Sequence, residues 1–289
     1  MRLHILVLLA AVGGAAPAAA HTPYLLPNAF DAERPRVTLQ GALTEDDYFN
    51  PDVALNTSAL VETLPSGEIA ALKPSAALKD VTLIEAALDQ PGTYRFSTGP
   101  YAVRRSTYAN VGGRWLMVRA ARGGEGERSG EAGHPAGAAP QGPPGSIAAA
   151  DVPAGAETRT AEQVMLVETY VSRGAPTEAA LKTTGQGFEL KPITHPNAIY
   201  VDQGFAFQLL VDGRPVPNAA ISVYRSGNVY DERRIAVQLK TDAEGKGQVG
   251  FSLPGVYLLT TQYPAVRPAP GEPPAARSYT YSLTFEVTR

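Results

Sequence analysis

The chain has 289 residues, with Lys+Arg 25 against Asp+Glu 28, a formal net charge of −3, 44% hydrophobic residues and no cysteine. That length suits one large domain or two of ordinary size. The missing cysteine excludes a disulfide framework, an iron–sulfur site, a Cys-ligated zinc, a thiol nucleophile and a lipobox anchor, and the charge balance gives no basic footprint for nucleic acid.

Residues 1–20 read as a cleaved secretory signal. Arg2 supplies the basic start, Ile5 to Val12 is a continuous apolar run, and Ala18-Ala19-Ala20 offers small residues for the peptidase. The run is short of the roughly 20 residues a spanning helix needs. No later run reaches that length, so no membrane span is expected after cleavage. Removing Arg2 would take the net charge from −3 to −4 and leave His21 as the first residue. An exported chain without cysteine fits a bacterial periplasm.

Residues 21–120 carry short strand signals, which predict an N-terminal β domain. Val37 to Gly41, Leu83 to Ala87, Thr93 to Ser97 and Trp115 to Val118 read as strands. Pro51-Asp52, Pro65-Ser66-Gly67 and Pro91-Gly92 punctuate them as turns. Residues 121–160 hold 9 Gly, 5 Pro and 10 Ala, with Ile147 and Val152 as the only large aliphatics. Such a stretch buries too little apolar surface to offset its ordering entropy, and predicts a disordered insertion.

Residues 161–289 read as a C-terminal sandwich. Gln163 to Val171 is β-rich. Phe205 to Val211 runs into the turn Asp212-Gly213-Arg214-Pro215, and Ala220 to Tyr224 is expected as its partner strand. Arg234 to Lys240, the turn Thr241 to Gly247, Gln248 to Leu253, Val256 to Gln262 and the alternating Tyr279 to Val287 follow. Pro264 to Arg277 reads as a surface loop. Short strands at spacings of about 8–12 residues point to an all-β chain of two immunoglobulin- or prealbumin-like β-sandwich domains joined by the insertion.

Three segments carry a resemblance. They are His21-Thr22-Pro23-Tyr24-Leu25-Leu26-Pro27; Glu168-Thr169-Tyr170 with Gly187-Phe188-Glu189-Leu190-Lys191-Pro192-Ile193; and Val211 to Ala219 with Thr241-Asp242-Ala243-Glu244-Gly245. Together they resemble the exported bacterial family called domain of unknown function 4198, whose NikM-like members are commonly labelled periplasmic components of cobalt or nickel uptake. The resemblance implies an all-β periplasmic protein with a divalent-metal role and, as partner, a metal-uptake transporter or outer-membrane receptor. The chain has no His-rich tract, which argues against high-capacity metal storage.

The candidate ligands follow from the few histidines. After cleavage His21 would offer an amine and an imidazole in one bidentate grip, a donor set suited to Ni, Co, Cu or Zn. His134 lies in the insertion. His195, in Thr194-His195-Pro196-Asn197, is the ordered partner for His21. Glu45, Asp46, Asp47 and Asp52 form an acidic loop without the alternating spacing of a calcium-binding loop, with an auxiliary carboxylate ligand for His21 as the alternative. Asp212, Asp242 and Glu244 read as turn caps, and most of the 13 tyrosines as sandwich core and rim. There is no nucleophile elbow, zincin helix, P-loop or dinucleotide fingerprint. The expectation is a non-enzymatic metal-binding protein, with an envelope module for a protein or polysaccharide as the alternative.

Overall fold

The computed structural model describes residues 22–44, 49–56, 59–99, 103–119, 145–227, 235–264 and 271–289. In chain order these form β1 (Thr22–Pro27), β2 (Arg36–Thr44), β3 (Val53–Ala54), β4 (Val61–Thr63), β5 (Ile69–Ala71), β6 (Ala76–Ala77), β7 (Thr82–Ala87), β8 (Gly92–Ser97), β9 (Val103–Val111) and β10 (Arg114–Arg119). Then come β11 (Ser146–Ala148), β12 (Thr158–Arg173), β13 (Phe188–Pro192), β14 (Phe205–Val211), β15 (Arg214–Pro215), β16 (Ala220–Arg225), β17 (Ile235–Lys240), β18 (Lys246–Val249), β19 (Gly255–Tyr263) and β20 (Arg277–Val287). Apart from short 3-10 turns the described residues carry no helix, and no helix there is long and apolar enough to cross a membrane.

The chain is all-β, as its alternation and turn residues predict. Its strands do not sort into two separate sandwiches, however. One large sheet runs β11-β10-β9-β12-β20-β19-β16-β17, with β8 on the far half of β12 and β4 and β5 beyond it. It therefore takes strands from both sides of the Gly/Pro/Ala-rich stretch. A five-stranded sheet (β1-β2-β7-β6, with β3 on β2) covers its back face, and a four-stranded sheet (β13-β14-β15, with β18 on β14) covers its front. The junction is β12. Side chains alternate across a strand, so Val164, Leu166 and Tyr170 enter the front core while Val167 and Val171 enter the back one. Sixteen residues long, β12 is the one strand that both halves of the chain use.

The front core is aromatic. Phe205, Phe207 and Phe285 are 0–1% exposed, and Phe251, Tyr257 and Phe285 lie within 6 Å of one another, centroid to centroid. The back core is aliphatic, built on Leu25, Leu39, Ile84 and Leu88 with Tyr94 and Phe96.

Three expectations need correction. Residues 145–160, placed by composition in the insertion, carry β11, a 3-10 turn and the start of β12; residues 120–144, with His134, lie outside the described residues. The segment 220–224 is not the partner of 205–211. β14 pairs with β13, β15 and β18, whereas β16 joins β17 and β19 in the large sheet. Likewise β18 returns to β14 rather than to β17. Alternation reports which residues share a face; it does not report which strand lies alongside.

One hydroxyl ties the two crossings together. Thr241, 2% exposed, donates to the Val216 carbonyl at 2.7 Å and accepts the Ala219 N–H at 2.9 Å. The next residues make the tight turn. Asp242 Oδ1 accepts the N–H groups of Glu244 and Lys246 at 3.0 and 2.7 Å. Gly245 sits at φ +72°, where a Cβ would stand 2.7 Å from the Leu209 carbonyl oxygen, so no other residue fits. Asp212, also at positive φ (49°), holds the preceding loop through the Gly187 N–H at 2.8 Å. The turn residues thus serve as caps.

Candidate functional site

The first candidate is the head of β1. Thr22 pairs with Thr44, and Tyr24 with Ala42, in an antiparallel ladder. Tyr24 and Leu25 are fully buried, and Ser282 Oγ donates to the Pro23 carbonyl at 2.6 Å, so β1 is fixed to the large sheet within two residues of its start. Tyr24 carries the chemistry of this end. Burial pushes its hydroxyl up to about 12, against a hydrogen bond from Gln40 Nε2 at 2.8 Å that lowers it, and the Asp52 carboxylate adds a smaller upward push. Asp52 is tied in by its N–H to the Leu43 carbonyl. His21 and the Glu45, Asp46 and Asp47 carboxylates lie outside the described residues.

His195 sits elsewhere, in a closed ring of hydrogen bonds. Its Nδ1 accepts the Asn197 N–H at 3.1 Å, so the proton of the neutral ring is on Nε2. Nε2 meets Thr93 Oγ1 at 3.2 Å and the Thr177 carbonyl at 3.3 Å. Thr93 Oγ1 meets Ser172 Oγ at 2.8 Å, and Ser172 Oγ donates to Asn197 Oδ1 at 2.9 Å. Asn197 Nδ2 closes the knot on the carbonyls of Tyr170 and Phe30. Both imidazole nitrogens therefore have partners, and the ring joins β8, β12, the loop before β14 and the chain following β1. Phe30 lies past the end of β1 opposite Thr22. Six extended residues at about 3.3 Å each put roughly 17–20 Å between the two ends of that strand. No group of three or more His, Asp or Glu placed to hold a metal occurs among the described residues.

A third cluster was not singled out from the sequence as a site. Glu168 on β12, Tyr281 on β20 and Arg95 on β8 meet on the front face of the large sheet. The Tyr281 hydroxyl donates to Glu168 Oε2 at 2.8 Å. Arg95, opposite Tyr170 in the ladder, reaches Thr63 Oγ1 at 3.4 Å, and its guanidinium lies near enough to the buried Tyr170 hydroxyl for the two to interact. Burial raises the Glu168 carboxyl above the usual range, and the nearby Arg95 guanidinium offsets that only in part. Burial also drives Tyr170 and Tyr281 upward, with the Glu168 charge adding to it. For Arg95, burial works against the charge, and Glu168 and the two tyrosines outweigh it.

The two pieces of the second resemblance segment meet here. Phe188 packs its ring against Tyr279 and Tyr281, 5.7 and 5.5 Å between centroids. Glu189 adds to the field on Glu168 and holds the preceding loop through the N–H groups of Thr184 and Gly185. The signal was in the sequence. Val164, Leu166, Glu168 and Tyr170 share one parity of a strand otherwise apolar there, so a glutamate stands at a core position.

Comparison with known proteins adds little beyond the family. The D0-D1 domain of intimin is 11% identical over 90% of this chain and 96% of that one, with a TM-score of 0.20. The structure titled Escherichia coli alpha-2-macroglobulin activated by porcine elastase is 12% identical over 93% of this chain and 31% of its own, with a TM-score of 0.19. Scores this low do not establish a shared strand arrangement. No curated protein matches the sequence. The profile of the domain of unknown function DUF4198 matches residues 18–265, and the chain belongs to that family.

Proposed function

We propose that this is an exported, periplasmic, non-enzymatic protein that binds a divalent transition-metal ion at the head of β1 and assists its uptake, with His21 as the main ligand. The supporting observation is the register of the first ladder. Thr22 stands opposite Thr44 at its end, and in the sequence His21 precedes the one while Glu45, Asp46 and Asp47 follow the other. Cleavage after Ala20 would place an amine and an imidazole one residue from a strand fixed to the core, with carboxylates following its partner. Nitrogen donors with an oxygen or two suit Ni, Co, Cu or Zn, and an open site of few ligands suits cargo handed on to a transporter or outer-membrane receptor. His195 as second imidazole would have to give up the Asn197 N–H or the Thr93 bond, so the reading rests on His21.

The test compares protein processed in the periplasm, its His21 terminus verified by intact mass, with a variant carrying one extra glycine before His21. Stoichiometric Ni, Co, Cu or Zn in the processed protein, lost in the extended one, supports the site. Equal or absent binding in both removes it. A second reading, the envelope module for a protein or polysaccharide, is favoured by one observation, the arginine-bearing sheet face described next.

A further inference from the structure

The large sheet extends past both flanking sheets. Strands β9, β10 and β11 pair with one another and with β12, and neither flanking sheet packs on them with more than marginal contact among the described residues. Residues 103–119 contain four arginines and no Asp or Glu, in a chain whose net charge is −3. The ladder sorts these charges by face. On the front, Glu162 bonds both Arg105 and Arg277, at 3.0 and 2.6 Å, and Arg114 stands apart. The back has the same balance of charge but leaves two arginines unbonded among the described residues. The pairs Arg104–Gln163, Tyr108–Arg159, Met117–Tyr108 and Trp115–Asn110 put Arg104, Arg119 and Arg159 on one side with Trp115.

Among the described residues these three cations have one carboxylate partner, Glu157, which binds Arg159 at 3.0 Å. Arg159 also stacks on the Trp115 ring, 5.3 Å from its centroid. Neither Arg104 nor Arg119 has an acceptor among the described residues.

We propose that this back face of β9 and β10 binds a carboxylate-bearing polysaccharide, an assignment independent of the metal reading. Guanidinium forks pair with carboxylates through two parallel bonds. Arg104 and Arg159 are about four strand residues apart, roughly 13 Å, so an extended polyanion meets both while a single small anion does not. Among the described residues the large apolar side chains of this face, Trp115 and Met117, are half-buried and none is exposed. A membrane-docking surface needs apolar groups to insert, and a protein interface needs an apolar core.

The experiment uses the intact purified protein and oligogalacturonate as probe, with neutral dextran as control. Trp115 is the only tryptophan, so its emission reports this face alone. The expected result is a saturable emission change with oligogalacturonate that weakens as salt rises and is absent with dextran. Arg104→Gln should lower affinity by roughly tenfold, the scale of one charge-assisted hydrogen bond. Arg114→Gln, on the opposite face, should leave it unchanged. Arg104 is exposed, so its variant tests binding without risk to folding, with circular dichroism as the check. No response to oligogalacturonate overturns the proposal. So do equal losses in the two variants, and a response to anionic lipid vesicles or polyglutamate alone.

Discussion

Strands β20 and β9 flank β12 in the same sheet and meet opposite fates. In β20, Tyr279, Tyr281, Leu283, Phe285 and Val287 fill the front core, while Ser278, Thr280, Ser282 and Thr284 are also buried, against the back layer. In β9 the alternate residues stay largely in water. Period-two alternation says which residues share a face; it does not say that the polar face is wet. The difference lies in the kind of polar residue. The inner polar positions of β20 are hydroxyls, which a neighbouring carbonyl can satisfy, as Pro23 does for Ser282. The two faces of β9 and β10 carry four arginines between them, whose charge costs too much to enclose without partners.

The sharpest way to break this comparison is to empty one position in each region. Phe285, 1% exposed and in ring contact with Phe205, Phe251 and Tyr257, should cost about 3–5 kcal/mol as Phe285→Ala. Leu116→Ala on the β9–β11 extension should cost under about 1 kcal/mol, because a half-buried side chain loses less contact. Urea unfolding midpoints measure both, and similar losses would mean that β9–β11 has a covering layer after all. Asn197→Ala comes next. It takes one hydrogen bond each from the carbonyls of Tyr170 and Phe30 and from the Ser172 hydroxyl, of which Phe30 keeps the Ser172 N–H and Ser172 keeps Thr93, and should cost about 1–2 kcal/mol. A loss below a few tenths would show that the knot joining the layers is incidental.

The third prediction concerns pH. Folding raises the Glu168 carboxyl above its usual 4.5, so the folded state holds its proton more tightly than the unfolded chain. Stability from this group is therefore full below about pH 4.5 and falls as pH rises through the raised value. Glu168→Gln removes that titration. The difference in Tm between variant and wild type should move in favour of the variant as pH climbs through that window. A pH-independent difference would place Glu168 in a solvated setting. The companion variant Arg95→Met should lift the Glu168 titration further, since the guanidinium is its main lowering influence.

Much of this organisation was legible. The strands at 36–44, 82–87, 92–97, 205–211, 255–263 and 277–287 follow from alternation between turn residues, and Asp242 and Asp212 act as the turn chemistry requires. Partnership was not legible. Nothing local to 220–224 says that it leaves its neighbour 205–211 for another sheet, and the side chain that fixes the crossing before it, Thr241, lies after the next strand. The length of β12 was masked by composition, since Thr158 to Thr160 looks like the end of a Gly/Ala-rich tract until it is paired with β9. His195 shows the limit for sites. Its sequence marks a rare imidazole, and only the fold supplies the two partners that occupy its nitrogens.

The smallest effect is the most discriminating for how β20 is covered. Thr284 Oγ1 is buried with no hydrogen-bond partner, although the Thr284 carbonyl accepts from Thr169 Oγ1 at 3.0 Å. Its neighbour on the same face, Ser282, has its hydroxyl on Pro23. Removing a satisfied hydroxyl leaves its acceptor orphaned, whereas removing an unsatisfied one leaves nothing behind and relieves a desolvated dipole. Ser282→Ala should therefore destabilise by about 1–2 kcal/mol, and Thr284→Val, equal in shape, should be neutral or stabilising by up to about 1 kcal/mol. If Thr284→Val destabilises as much as Ser282→Ala, the Thr284 hydroxyl has an acceptor in solution, and the layer over β20 is held by a second bond of the Pro23 kind.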